Sequence, residues 1–253
     1  MCLIAWNWQP NSTSPLLLIG NRDEFYARPT QALHWWNDDF LAGKDLQDGG
    51  TWLGVTRQGK LAVLTNYRAP TQQRNNVPSR GQLVADFLLN PHSVESYLQH
   101  LCAVGHHYNP FNLLLFDGVS LKGFESRHAR VIDIAPGVGG VSNADFNTPW
   151  PKLVGLTASL QLSVQQGVDD DAHLLVLLGN AKPASDAQLP QTGIALERER
   201  ALSSCFIKTP DYGTRASSVV RMGGGEVRFT EQSFDAQGAT VRTQLSFSVN
   251  DSR

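Results

Sequence analysis

The sequence contains little cysteine and little net charge, and both shortages limit what the protein can be. Its 253 residues include three cysteines, an odd number with no CxxC spacing. This count argues against a disulfide framework and favours a reducing compartment such as the cytoplasm. The net charge of −2 provides no strong attraction to nucleic acid or to an anionic membrane surface. We therefore expect a cytoplasmic protein that does not bind nucleic acid.

Long apolar runs are also missing. No segment approaches the roughly 18 apolar residues that a membrane span requires, and no basic stretch precedes an apolar core at the start, so we expect no secretory signal. The CxxCH motif of covalent haem attachment is absent. Hydrophobic residues make up 41% and charged residues 17% of the chain. This balance predicts a globular chain with a sizeable core, and the length suits one large domain or two small ones.

Residue 2 is the most informative position in the sequence. Removing Met1 would leave Cys2 with both a thiol, whose reference pKa is about 8.5, and a free α-amine, whose reference pKa is about 7.7–8.0. The amine can then act as the general base for the thiol of the same residue. A cysteine at this position is weak evidence by itself, because small residues are common there.

The first residues form a predicted hairpin that adds to this evidence. Two apolar runs, at 3–8 and 16–20, are typical of strands and are separated by a polar turn. If they pair antiparallel, Cys2 lies opposite Arg22 and beside Asp23. Because an opposite charge nearby favours and orients an ammonium group, we expect Asp23 to position the Cys2 amine.

Three further polar elements end or follow predicted strands. The strand at 60–66 ends in Asn66, whose amide N–H can face a developing oxyanion or can make ordinary local turn bonds. Asn143 ends a short strand-like run at 140–143. A basic element with Arg215 at its centre follows late in the chain.

These elements together resemble one known family. The segment Asn21-Arg22-Asp23-Glu24 is similar to the motif that gives the NRDE family, the Transport and Golgi organisation protein 2-like proteins, its name. Further matches to that family's pattern are Cys2 and the segments at 50–54, 64–68, 141–143 and 212–215. The likeness runs from residue 2 to about residue 221 in the expected order, and several spaced motifs make it specific.

The resemblance implies a fold. The NRDE family is similar to the N-terminal nucleophile (Ntn) hydrolases, particularly to the cysteine branch that cleaves bile-salt and penicillin amides. It implies one domain over residues 1–253, a four-layer αββα sandwich with antiparallel sheets, and Cys2 at the start of a central strand. The order of strands, then helices, then strands independently favours the α+β class.

The resemblance also implies roles for individual residues. Cys2 matches the nucleophile, and Asp23 matches the acid that holds its amine. Asn66 and Asn143 match the pair near the oxyanion and the amine, and Arg215 matches an arginine that supports the nucleophile. Ligand contacts are expected from Asn21, Arg22, Glu24, Trp52, Tyr67 and Arg68. No metal site is expected.

One position departs from the hydrolase pattern. The hydrolase branch carries an arginine three residues before the acid, and this chain has Gly20 there. Arg22 is a nearby replacement, but we expect its side chain to leave from the opposite face of the strand. This departure counts against efficient amide hydrolysis.

Two functions follow from these expectations. The first is a hydrolase that uses Cys2 to cleave an amide or thioester of a small apolar acyl compound and requires no cofactor. The second, implied by the family, is a non-catalytic protein that binds and traffics haem or acyl-coenzyme A. His34, His106 and His107 are the candidate haem ligands, although a lone histidine is far more often an ordinary surface residue.

Several predictions concern other parts of the chain. Helices are predicted at 79–89, 93–104, 152–165, 171–178 and 195–206. The charged residues at 197–200 are expected on a solvated helix face, and Cys102 and Cys205 are expected to be buried and inert. Arg68, Arg74 and Arg80 are either an anion site or, slightly favoured, ordinary loop charges.

Overall fold

Short apolar runs separated by polar turns form two antiparallel sheets in a computed structural model that describes residues 1–250. The six-stranded sheet contains β1 (Cys2–Trp8), β2 (Leu16–Phe25), β10 (Gly137–Val141), β11 (Tyr212–Gly223), β12 (Glu226–Phe234) and β13 (Ala239–Ser248) in the order β10-β1-β2-β11-β12-β13. The seven-stranded sheet contains β3 (Thr30–Trp36), β4 (Phe40–Asp45), β5 (Leu53–Thr56), β6 (Leu61–Asn66), β7 (Phe111–Phe116), β8 (Leu121–Glu125) and β9 (Arg130–Asp133) in chain order.

Within residues 1–250, five α-helices accompany the two sheets. They are α1 (Gly81–Leu89), α2 (Val94–Val104), α3 (Pro151–Gln166), α4 (Asp171–Leu178) and α5 (Leu196–Ala201). The apolar faces of α1 and α2 pack on the seven-stranded sheet, and those of α3 and α4 pack on the six-stranded sheet. The result is the predicted four-layer αββα arrangement of the α+β class. Among the described residues, no helix combines the length and apolar character needed to cross a bilayer.

The side chains of β1 alternate between two cores, as the period of a strand requires. Leu3 and Ala5 pack beneath α3 and α4. Cys2, Ile4 and Trp6 instead face the core between the two sheets. β1 is a central strand, since it pairs with β10 on one side and β2 on the other.

The predicted first hairpin is confirmed in its register. Cys2 lies opposite Arg22 and Ile4 lies opposite Gly20. The same strand β2 then pairs with β11, which brings residues more than 190 positions later in the chain next to Asp23.

The predicted helices agree with the structure except at two ends. Ser93 caps α2 by accepting a hydrogen bond from the Ser96 N–H at 3.2 Å, and α4 spans the predicted residues. Ser79 does not cap α1, which begins at Gly81 after Arg80. α5 ends at Ala201 rather than at residue 206, because the Ser204 hydroxyl bonds to nearby backbone carbonyls and so competes with the helix.

Close contact between β10 and its neighbours generates a stability prediction. A Cβ atom at Gly140 would lie 2.5 Å from Leu153 Cδ1 and 2.7 Å from the carbonyl oxygen of Ile4. We therefore expect Gly140→Ala to lower the free energy of unfolding by about 1–3 kcal/mol through overpacking. Gly155→Ala is the matched control: it lies in α3 with no atom within 4 Å and should stabilise the protein by about 0.5–1 kcal/mol. Urea unfolding measures the change in the free energy of unfolding for each variant. Equal changes in the two variants would contradict the close contact of Gly140 with Leu153 and Ile4.

Candidate active site

The start of the chain is fixed by hydrogen bonds to β2. The Met1 carbonyl accepts from the Asp23 N–H at 2.6 Å, and the Met1 ammonium donates to the Asp23 carbonyl. The same ammonium donates to the Tyr212 hydroxyl at 3.0 Å. Burial lowers the pKa of the Met1 amine. Residues 1 and 23 therefore form a hydrogen-bonded pair that holds Cys2 in the sheet.

Cys2 opens onto a cleft at the ends of the two sheets. The cleft has a volume of about 510 Å³, and its wall includes Cys2, Trp52 and Asn66. Cys2 is only 4% exposed, and burial raises the pKa of its thiol to about 11. While Met1 is present, the thiol is therefore protonated and weakly nucleophilic at neutral pH.

Most of the cleft wall is polar. Its charged lining residues are Arg22, Asp23, Glu24, Arg28, Asp45, Asp48, Arg74 and Arg80. Arg22 and Arg28 both donate to Asp45 Oδ2, at 2.9 and 2.6 Å. Arg80 donates to the Pro110 carbonyl at 3.1 Å through one of its nitrogens. The cleft is thus suited to a ligand with polar or anionic groups as well as a reactive carbonyl.

The expectation that Arg22 leaves from the opposite face to Gly20 is wrong. Residues two apart in a strand share a face, and Arg22 pairs with Cys2 while Gly20 pairs with Ile4. A Cβ atom at Gly20 would lie 2.8 Å from the Leu3 carbonyl oxygen and 3.4 Å from the Trp52 ring. Trp52 thus covers Gly20, and Arg22 supplies the positive charge on the face of Cys2.

Asp23 also borders the cleft, but its carboxylate is directed away from Cys2, toward Thr214 and toward Lys152 of α3. It is 1% exposed, and its Oδ1 accepts from the Thr214 hydroxyl at 2.8 Å. Its Oδ2 is buried with no hydrogen-bond partner in residues 1–250. Burial raises the pKa of Asp23, and the nearby cation Lys152 opposes this effect.

Lys152 is a site residue that the sequence interpretation missed. Its ammonium donates to Asn143 Oδ1 at 3.3 Å, and burial lowers its pKa to about 8. A signal was present, since Lys152 lies four and eight residues before Leu156 and Leu160 on the apolar stripe of α3. A lysine on such a stripe points into a core and needs a polar partner there.

The two predicted asparagines lie together. Asn143 Nδ2 donates to the main-chain carbonyl of Asn66 at 2.8 Å. β1 and β10 pair as far as Ile4 opposite Val141, and Asn143 follows two residues after this last paired position. Asn66 itself lies in the cleft wall. Cys2, Asp23, Asn66 and Asn143 are therefore neighbours.

Arg215 is not brought to the cleft. Its guanidinium donates to the main-chain carbonyls of Phe25, Tyr26 and Arg28, which form the turn after β2. A register shift in β11 between Thr214 and Ala216 places Arg215 at an irregular position in the strand. Arg215 therefore does not support Cys2 by direct contact, because its guanidinium group hydrogen-bonds to the turn after β2.

Three of the predicted ligand residues also lie away from the cleft. Asn21 faces the helices and donates to the carbonyls of Leu178 and Cys205, both at 2.9 Å. The Tyr67 hydroxyl accepts from Arg127 at 2.9 Å. Arg68, the third, is buried. The other three predicted ligand residues, Arg22, Glu24 and Trp52, line the cleft.

Arg68 forms a buried ion pair with Glu199. The two groups are 2.7 Å apart, and each side chain is 5% exposed. The prediction that residues 197–200 form a solvated face is therefore wrong at Glu199, because this carboxylate turns inward to the arginine. The Arg68 N–H also donates to the Asn143 carbonyl at 2.7 Å. The Arg68–Glu199 ion pair therefore lies beside Asn143.

The other cysteines, histidines and arginines singled out in the sequence lie in different parts of the fold. Cys205 is buried as predicted, whereas Cys102 is exposed because it lies on the outer face of α2. His34, His106 and His107 are not among the described residues that line the cleft. Arg74 and Arg80, for which an anion site was the less favoured interpretation, are both in the cleft wall.

The buried lysine predicts how stability depends on pH. The pKa of Lys152 is about 8 in the folded protein, below its ordinary 10.5, so the unfolded chain binds more protons between these values. The free energy of unfolding contributed by Lys152 therefore rises with pH across this window. Relative to a Lys152→Met variant, the wild type should gain up to about 3 kcal/mol between pH 7 and pH 10.5.

Urea unfolding across this range measures the effect. The same substitution at the exposed Lys182 is the control and should leave the pH profile unchanged. A constant difference between wild type and Lys152→Met would show that Lys152 is not buried as described.

The fold is similar to that of solved structures. The chain is similar to the conjugated bile acid hydrolase of Clostridium perfringens, solved as its C2A mutant, with a TM-score of 0.52 at 10% identity. The match covers 100% of this chain and 99% of that one. An arginine-to-leucine variant of the same hydrolase gives a TM-score of 0.53. These matches confirm the Ntn-hydrolase fold.

Sequence comparisons identify the family. The Transport and Golgi organization protein 2 homolog of Bos taurus is 40% identical over 261 residues, covering 92% of this chain and 93% of that protein. The homolog of Homo sapiens is 36% identical with the same coverage. The family model described as Transport and Golgi organisation 2 matches residues 1–236. The chain therefore belongs to the Transport and Golgi organisation 2 family, as its NRDE motif predicted.

Proposed function

We propose that this protein, after loss of Met1, is an Ntn-type hydrolase that cleaves an amide or thioester with Cys2 as its nucleophile. The observation that carries the proposal is the position of Cys2. It begins a central strand, its thiol opens onto the largely polar cleft, and Asp23 and Asn143 flank the chain start. An N-terminal cysteine in such surroundings supplies both nucleophile and base.

The proposed reaction has two stages. The Cys2 amine takes the thiol proton, and the thiolate attacks the carbonyl carbon of the substrate to form a tetrahedral intermediate. The C–N bond then breaks as the amine passes the proton to the leaving nitrogen, which leaves a thioester on Cys2. Water attacks this thioester, the C–S bond breaks, and the carboxylic acid and free thiol are released. With a thioester substrate, the leaving group is a thiol.

Two groups support this chemistry. Asn66 lies in the cleft wall, and its carboxamide N–H is suited to the developing oxyanion. The unpartnered Oδ2 of Asp23 is buried beside the chain start and provides an acceptor for the new ammonium group of Cys2. Lys152 opposes the rise that burial causes in the pKa of Asp23, and it donates to Asn143, so we assign it as a positioning residue.

The second candidate function is binding without catalysis. It is favoured by the arginines of the cleft, of which Arg74 and Arg80, unlike Arg22 and Arg28, are not paired with Asp45, because guanidinium groups bind phosphates and carboxylates well. This observation supports acyl-coenzyme A more than haem. A haem held by His34, His106 or His107 does not fit the cleft, since none of them is in its described wall. The three unpaired cysteines support the proposed cytoplasmic location.

Acylation of Cys2 distinguishes the two functions. A chain that begins at Cys2, incubated with acyl p-nitroanilides and acyl thioesters, should gain the mass of one acyl group and release the leaving group. Cys2→Ala should abolish both with less than about 1 kcal/mol change in stability, because the side chain is small. The exposed Cys102→Ala is the control and should react normally. No acyl adduct on any substrate would favour the binding function.

Alkylation of the thiol tests the role of the amine. With Met1 present, the thiol pKa of about 11 predicts slow reaction with iodoacetamide at pH 7.5. In a chain that begins at Cys2, the ammonium group is on the same residue and lowers the thiol pKa. We expect Cys2 to react about tenfold or more faster in that chain. Equal rates would contradict the proposed pairing of amine and thiol.

A further inference from the structure

We propose that the space filled by Met1 becomes, once Met1 is removed, an apolar subsite for an unbranched acyl chain of about six carbons. This inference rests on the proposed function, for which it specifies the acyl group of the substrate. It also accounts for an apolar acyl group in a cleft whose other lining residues are mostly polar or charged.

Met1 has its own apolar surroundings. Its side chain packs against a small cluster formed by Leu202, Ile207 and Tyr212, with Ile194 beside it. This cluster is separate from the cores between and beneath the sheets. We call the space enclosed by these four residues the Met1 pocket. Because methionine is unbranched, the space that it leaves is long and narrow.

The Met1 pocket is continuous with the cleft. Met1 and Cys2 both line the cleft, and Met1 is bonded directly to the Cys2 nitrogen. The vacated space therefore begins at the α-amine that would transfer the proton. Because Met1 and Cys2 line the same cleft, an acyl chain attached to the carbonyl under attack starts next to this space.

The walls of the pocket do not depend on Met1. Glu199 holds the segment before α5 by accepting from the Thr192 N–H at 3.0 Å and from Arg68 at 2.7 Å. The Tyr212 hydroxyl donates to the Asp23 carbonyl at 3.0 Å. The pocket should therefore persist after processing. An apolar cavity of this kind stays dry and accepts apolar ligands.

Loss of Met1 also frees a polar group at the entrance. The Asp23 N–H donates to the Met1 carbonyl at 2.6 Å and loses this partner when Met1 leaves. A ligand carbonyl can replace it, which avoids leaving a buried donor unpaired. The pocket is thus matched to a carbonyl followed by a straight aliphatic chain.

Ligand binding by a chain without the nucleophile tests the pocket. A Cys2→Ala chain, released from a cleavable fusion so that it begins at position 2, is titrated calorimetrically with unbranched alkanamides from acetamide to octanamide. Affinity should rise about fourfold per methylene up to about six carbons and then stop rising. The same Cys2→Ala chain with Met1 retained should show no dependence on length.

Variants of the pocket sharpen this test. Ile194→Trp should fill the pocket and remove the dependence on length, while Leu202→Ala should extend the optimum to longer chains. Val119→Trp, at a residue that is 81% exposed and outside the described cleft wall, is the control and should bind like the parent. The same rise in affinity with Met1 retained, or no rise in any chain, would overturn the proposal.

The outcome is independent of catalysis. If affinity depends on length but no protein with Cys2 forms an acyl adduct, the proposed hydrolase is wrong and the pocket is right. If acylation occurs but affinity does not depend on length, the pocket is wrong and the hydrolase is right.

Discussion

The pairing of residue 1 with residue 23 is the constraint on which the site depends. Backbone hydrogen bonds in both directions between Met1 and Asp23 fix the start of the chain within the six-stranded sheet. A chain start is usually at the surface and poorly ordered. Here it leads directly into β1, which pairs with β2 from Cys2 onward and with β10 from Ile4 onward, so the first side chains have defined directions.

The alternation of a strand then separates two chemical environments. Cys2 faces the cleft with Arg22, whereas Asp23 faces the helices with Lys152 and Thr214. Taking Asp23 and Lys152 out of water costs free energy that their attraction only partly recovers. A pair of this kind is weak evidence for stability, so we attribute its presence to the site.

The sequence predicted the parts of the structure that depend on local patterns. The apolar runs and the composition of the turn between them were sufficient to predict that Cys2 pairs with Arg22. The N-capping residue Ser93 was sufficient to predict the start of α2. The four neighbours Cys2, Asp23, Asn66 and Asn143 were found through motifs whose spacing resembled a family. Arg22 was predicted on the wrong face because the two-residue period of a strand was applied incorrectly. The sequence itself contained enough information to place Arg22 and Gly20 on the same face.

Contacts between distant segments could not be predicted in this way. Glu199 pairs with Arg68 across 131 positions, and no local pattern distinguishes it from its solvated neighbours in α5. Arg215 was assigned from its motif, but its contacts with the turn after β2 depend on a bulge in β11. Lys152 was visible as a cation on an apolar stripe, but only the fold shows that its partners are Asn143 and Asp23.

The central claim is that the working protein begins at Cys2. Because the Met1 amine is buried and hydrogen-bonded in the folded chain, its removal must precede or interrupt folding. Intact-mass spectrometry of the protein purified from cells tests this claim most directly. The account predicts a chain lacking one methionine, with a free cysteine at its start. A mass that includes Met1 would contradict the account, because no free amine would then lie beside the thiol.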